Sequence, residues 1–266
     1  MRIAVSSIAW AADEAEAALD ALVAGGAQGV EIAPTTIWPG WEGATPEAAR
    51  EVRARLAGRG LAVPALQSVL FGRAELQVFG DLAPLRAHVA KVAGLAGALG
   101  AGVMVFGSPR NRLRGEMAAD AAMERAVPVF RALGEVCAAE GTALGIEANP
   151  AAYGGDFLLR WQEAAELVTR VGHPGVVLHL DTACTALAGD DPAEAAGACG
   201  AALAHFHVSA AGLAAVAAGN PIDHAAVAAA LRAAGYGGWV SIEMRRDEAG
   251  VAAVARALEF VRGCYA

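Results

Sequence analysis

The sequence lacks the signatures that announce several common protein classes. Its four cysteines, Cys137, Cys184, Cys199 and Cys264, are scattered and form no CxxC pair. That argues against a zinc ribbon or a disulfide scaffold and for a reduced, cytoplasmic chain. No GxSxG, P-loop or HExxH occurs, so serine-type nucleophilic catalysis, nucleotide hydrolysis and zincin chemistry have no support. Positive charge is in short supply: 20 Lys and Arg stand against 28 Asp and Glu, for a net charge of −8 and a pI near 5.3. An extended phosphate backbone is a poor partner for such a chain, and no nucleic-acid partner is expected. The uncharged windows 92–109 and 195–221 are interrupted by glycine and rich in alanine, too weakly apolar to span a membrane. Residues 1–12 carry one arginine and meet acidic residues at once, which reads as a first strand rather than a secretion leader. No linker or low-complexity tract divides the chain, so residues 1–266 are expected to form a single domain.

What the chain does have is a repeated unit of helical segment, glycine and short apolar strand. The strands read as 2–8, 29–33, 61–67, 102–106, 142–147, 175–181, 204–208 and 238–243, and the helical windows as 13–25, 46–58, 83–99, 117–139, 160–171, 191–202, 223–234 and 247–262. Thr45-Pro46 and Asp191-Pro192 fit helix starts, with a capping side chain followed by proline. Strands this continuously apolar belong to a parallel sheet covered by helices. Eight such units, with no GxGxxG after the first strand, predict an α/β fold of the (β/α)8 barrel type over a doubly wound sheet. The longest loops after strands, 34–44, 68–81 and 107–116, then fall on the C-terminal face, where barrel active sites lie.

Four strands end in groups that do not belong in apolar runs: ALGIE (143–147), VVLHLD (176–181), AHFH (204–207) and WVSIE (239–243). A buried carboxylate is costly unless paired or bound to a cation. Glu147, Asp181, His207 and Glu243 on consecutive strands therefore predict one divalent metal, Mn²⁺ or Mg²⁺ for so oxygen-rich a set, with Zn²⁺ or Co²⁺ also compatible. A carboxylate beside such an ion can move a proton from carbon. Ion pairing of these residues with rim arginines is the plainer alternative. His179 and His205 share the inward face one level deeper and read as hydrogen-bonded core histidines or as orienters of the ligands. Glu31 either orients a substrate hydroxyl or pairs with an arginine inside the barrel, and the sequence does not separate the two. Three arginines in FGSPRNRLR (106–114), Arg110, Arg112 and Arg114, with Arg245 and Arg246 after the last strand, would suit an anionic group or be ordinary surface charges. Trp10, Trp38 and Trp41 fall in loops on the same face, as a sugar-binding wall or a closure against water.

The motifs GIEANP (145–150), HLDT (179–182), HFHVS (205–209) and GYGGWVSIEM (235–244) resemble the xylose-isomerase-like TIM-barrel superfamily of sugar isomerases and epimerases, which also includes endonuclease IV. The resemblance spans essentially the whole chain. It implies that Glu147, Asp181, His207 and Glu243 bind the metal, and that Glu147 and Glu243 flank the reacting carbon and pass its proton through an enediolate. It departs at Cys184, where epimerases usually carry histidine, and at Ala210 and Leu213, in place of a glutamate and an arginine that contact the sugar. Strands three and four end in Gln67 and Phe106, not in the further histidines of endonuclease IV. The expectation is thus a metal-dependent isomerase or epimerase of a small sugar, sugar phosphate or sugar acid, with Glu31, Gln67, Arg110, Arg112, Cys184 and Arg245 as substrate contacts. A sugar dehydratase, a phosphodiester hydrolase and a non-catalytic sugar-binding barrel are the alternatives, and a homo-oligomer is compatible with all of them.

Overall fold

Each short strand presents its larger apolar side chains to one side and its small or polar ones to the other, and this alternation sets the architecture. The computed structural model describes residues 1–266, the side chain of Ala201 excepted. Eight parallel strands, β1 (Arg2–Ser6), β2 (Gly29–Glu31), β3 (Ala65–Leu66), β4 (Val103–Phe106), β5 (Ala143–Ile146), β6 (Val176–Asp181), β7 (Leu203–Ser209) and β8 (Trp239–Glu243), follow one another around a ring. Paired neighbours run from β2 through β1 and β8 down to β3. Two isolated parallel bridges, Gly29 with Ala62 and Ile32 with Leu66, join β2 to β3 and close the (β/α)8 barrel. Outward residues such as Val5, Met104, Phe106, Leu144, Ile146, Leu180, Phe206 and Ile242 are buried in one continuous core against the helices. Inside the ring a small apolar cluster, Ala65, Val103 and Val105, with Val177 and Ala204 packed on it, makes a separate group.

The helices are α1 (Ala15–Ala24), α2 (Pro34–Ile37), α3 (Pro46–Ala57), α4 (Leu82–Leu99), α5 (Ala119–Ala139), α6 (Trp161–Val171), α7 (Thr182–Leu187), α8 (Pro192–Cys199), α9 (His224–Ala233) and α10 (Val251–Tyr265). Thr45 and Asp191 cap α3 and α8 by accepting from Ala48 N at 3.2 Å and Ala193 N at 2.8 Å, as their sequence context predicts. None of these helices is long and apolar enough to cross a membrane.

Three expectations are corrected. β3 is two residues long, not seven, because Pro64 carries no N–H for a ladder and Ala62 reaches β2 only through a single bridge. β1 ends at Ser6 because the Ser6 hydroxyl accepts from Ile8 N and the chain turns into a 3-10 segment, Ser7–Ala9. The helix α7, absent from the sequence reading, starts directly on Asp181, whose carboxylate caps it.

Candidate active site

The inward-facing residues near the C-terminal ends of β5 to β8 bring Glu147, Asp181, His207 and Glu243 together, so that one ligand atom from each lies within 4.8 Å of the others. His207 Nδ1 stands at the middle of the set, 3.5 Å from Glu243 Oε2, 3.9 Å from Glu147 Oε1 and 4.0 Å from Asp181 Oδ2. These separations are too long for hydrogen bonds, and Nδ1 is buried without a partner. They are the spacing of donor atoms that share a small cation, to which metal–ligand distances are about 2.0–2.2 Å. The donor set, three carboxylates and one imidazole nitrogen, fits a divalent ion.

Electrostatics point the same way. Burial and the charges of Glu147 and Glu243 push Asp181 up to about 7. Burial likewise raises Glu147, although the charge of His207, the Asn149 amide and the charge of Arg112 favour its ionised form. Burial opposes a charge on His207, yet Glu31 and Glu243 hold its pKa well above the ordinary value. The pocket therefore demands positive charge, which a proton on His207 or a divalent cation can supply.

Glu31 takes neither of the roles expected for it. It is fully buried below the four-residue centre and bridges two histidines, with its Oε1 2.8 Å from His207 Nε2 and its Oε2 2.9 Å from His205 Nε2. Despite burial, which opposes its charge, His207 and His205 keep its pKa well below the usual carboxylate range. An ionised carboxylate only accepts, so both Nε2 atoms carry protons, and Nδ1, the edge of His207 facing the carboxylates, is the nitrogen that would give up its proton to a cation. His205 Nε2 also lies 3.1 Å from Ser241 Oγ, and His205 stands outside the four-residue set. His179 is buried, with its Nε2 3.5 Å from Glu147 Oε1.

The carboxylates of the set are held from behind. Asp181 Oδ1 accepts from Cys184 N at 2.7 Å and its Oδ2 from Ser209 Oγ at 2.6 Å, so the start of α7 and the end of β7 orient one carboxylate. Glu147 Oε2 accepts from Asn149 Nδ2 at 2.8 Å. Arg112 Nη2 donates to Asn149 Oδ1 at 2.9 Å and to Glu147 O at 2.7 Å, while Nη1 donates to Phe106 O at 3.2 Å. Gly107 completes the cradle, because a Cβ there would sit 2.3 Å from Glu147 Oε2. Asn149, Ser209 and Gly107 went unassigned in the sequence, although the first two lie inside the GIEANP and HFHVS motifs.

Arg112 is thus not the anion contact expected of it. It has no exposed surface, and burial pulls it down to about 10. Arg112→Met should lower stability by about 3 kcal/mol, since a buried cation and the three hydrogen bonds it donates are lost together. Denaturant titration checks this, and a change below about 1 kcal/mol would reduce Arg112 to a space-filler.

A cavity of about 710 Å³ opens above the four residues and is lined by three of them, Glu147, Asp181 and Glu243. Of the other expected contacts, Gln67, Arg110 and Cys184 line it. Arg245 is exposed and outside the lining, and holds the loop after β7 through its backbone N–H on Leu213 O at 2.9 Å. Arg246 pairs with Glu14, and Arg114 binds Asp156, so among the described residues the loop after β4 gives the cavity one arginine, Arg110. The tryptophans form no wall of this cavity: Trp38 and Trp41 are buried, and Trp10 lines a smaller cleft beside α1.

The sequence model of the family described as xylose isomerase-like TIM barrel matches residues 19–264. Among solved structures, D-psicose 3-epimerase from Clostridium cellulolyticum H10, solved with D-tagatose, is similar at a TM-score of 0.81 and 17% identity over 99% of both chains. The 3-keto-D-glucoside 4-epimerase YcjR from E. coli gives 0.77 and 18% over 99% of this chain and 100% of that one. The IOLI protein, solved with a bound zinc atom, gives 0.75 and 14% over 99% and 96%. At these identities the likeness is one of fold. No curated protein sequence matches.

Proposed function

The chain belongs to the xylose isomerase-like TIM-barrel family, and from that premise we propose that it is a divalent-metal-dependent isomerase or epimerase of a sugar or sugar-derived acid. One observation carries the reading: the unpartnered, buried Nδ1 of His207, set among three carboxylates at the floor of an open cavity. Glu147, Asp181, His207 and Glu243 would hold the metal. When bound, it would supply Lewis-acid polarisation of a substrate carbonyl or hydroxyl.

The residues themselves account for the rest of the chemistry. Glu147 and Glu243 reach the cavity from β5 and β8, with Asp181 and His207 on the strands between them. Two carboxylates entering from separate strands suit proton removal from one face of a carbon beside a carbonyl and delivery to the other. Asn149 fixes the Glu147 carboxylate, while the Glu243 side chain keeps 17% of its surface and is freer to follow the proton. The neighbours solved as sugar epimerases support this class of substrate. The test is to load the protein with Mn²⁺, incubate it in D₂O with a panel of ketoses, keto-glycosides and sugar acids, and look for deuterium in recovered substrate. A protein that takes up no divalent metal, or that is loaded and exchanges none of these, would defeat the reading.

A further inference from the structure

The cavity is not centred on the four residues that carry the chemistry. They lie on β5 to β8, whereas much of the wall comes from the loops after β3 and β4, through Gln67, Leu70, Phe71, Pro109 and Arg110. A monosaccharide has on the order of a dozen non-hydrogen atoms and needs far less room than drug-sized ligands, which occupy pockets of about 300–1,000 Å³. The 710 Å³ present here leaves a lobe over β3 and β4 that such a sugar does not fill.

Two features of that lobe are built for a ligand. Gln67, at the end of β3, keeps 2% of its surface, and neither its Oε1 nor its Nε2 has a partner in the protein. A buried primary amide with both ends open offers one acceptor and two donors to whatever enters, the pattern that vicinal hydroxyls satisfy. Phe71, farther out, is the most exposed large apolar side chain among the described residues, at 66%. Its ring is exposed on a fixed backbone: Trp41 Nε1 donates to Phe71 O at 3.0 Å, Phe71 N donates to Ser68 O, and Asn111 Nδ2 donates to Arg73 O and Leu76 O at 2.9 and 2.7 Å. His88 Nε2 binds Val69 O at 2.9 Å in the same loop. An anchored, solvent-facing aromatic at a cavity mouth is a platform for a flat ligand group.

Resting on the metal-dependent sugar reading above, we propose that the substrate is a two-ring molecule, a sugar joined by a glycosidic bond to a second ring, and not a free monosaccharide. The reacting sugar sits over Glu147 and Glu243, Gln67 takes its hydroxyls, and the second ring lies on Phe71 beside Arg110.

The experiment is calorimetric titration of the Mn²⁺-loaded protein with glucose, galactose, mannose and xylose and with their 4-nitrophenyl glycosides. At least one aryl glycoside should bind ten-fold or more tightly than its parent sugar. Phe71→Ala, at an exposed site whose backbone anchors remain, should cut that gain to within two-fold, and Gln67→Leu should weaken parent and glycoside alike. Equal affinity for parent and glycoside, or a gain untouched by Phe71→Ala, overturns the two-ring substrate and leaves the metal-dependent sugar reading intact. No binding by either series, with stoichiometric Mn²⁺ still bound, likewise overturns the two-ring substrate, and the deuterium-exchange panel then decides the metal-dependent sugar reading separately.

Discussion

Glu243→Gln is expected to lower solvent deuterium exchange into substrate by about 10²–10⁴-fold, the usual range for loss of a positioned base. Glutamine keeps the shape and one oxygen donor but can neither accept nor return a proton. Because Glu243 also faces His207 Nδ1 at 3.5 Å, metal affinity should weaken too, so exchange is compared at saturating Mn²⁺. The side chain is half-buried at the cavity floor and makes no bond that the fold requires, so thermal unfolding should shift little. Exchange within three-fold of the parent protein would mean that Glu243 holds the ion without moving the proton.

The second large effect belongs to a residue outside the cavity. Glu31→Gln should reduce Mn²⁺ affinity by about 10- to 100-fold, the cost usually seen when the partner of a ligand histidine is removed. The amide can accept from one imidazole through its oxygen, but its NH₂ then meets the N–H of the other, donor against donor. One histidine must flip its tautomer or tilt, and for His207 that places a proton on the nitrogen that faces the carboxylates. Competition against a fluorescent chelator reads the affinity, and imidazole ¹⁵N shifts of the Mg²⁺-loaded protein report whether His207 has lost its Nε2 proton. Unchanged affinity with an unchanged tautomer would leave Glu31 as packing alone. Glu31→Leu is the harsher variant, because it strands two buried N–H groups and should also destabilise the fold.

The four metal-site candidates were legible because a carboxylate or histidine ending an apolar strand is an anomaly in one dimension, and the barrel repeat shows that such ends converge. Glu31 was visible as an anomaly but not as a partner. What it faces lies 174 and 176 positions away, and only the closure of the ring brings them together. Arg110 and Arg112 illustrate a different limit. They are two residues apart in one loop, yet one lines the cavity and the other is buried among carbonyls, because a 3-10 turn at Pro109–Asn111 separates their directions. The helix α7 was hidden because Asp181 serves both as cap and as ligand candidate, and six residues give no periodicity to read. The tryptophans stayed open between a sugar wall and a closure against water because an indole in a loop signals contact but not with what. Trp41 spends its N–H on the carbonyl of Phe71, and a lone phenylalanine in a loop had drawn no notice.

The offset of the cavity from its floor divides its lining into two arcs, one carried by the loop after β3 and the other by the ends of β5 to β8. The loop after β3 can be rewritten while β5 to β8 stay untouched, since its anchors, Trp41, His88 and Asn111, lie outside those strands, whereas the loop after β4 carries Gly107 and Arg112 and is tied to Glu147. A chain built this way can change the far wall of its cavity while the four-residue floor keeps its geometry. An engineer grafting residues 68–77 from a relative would be working along the same seam.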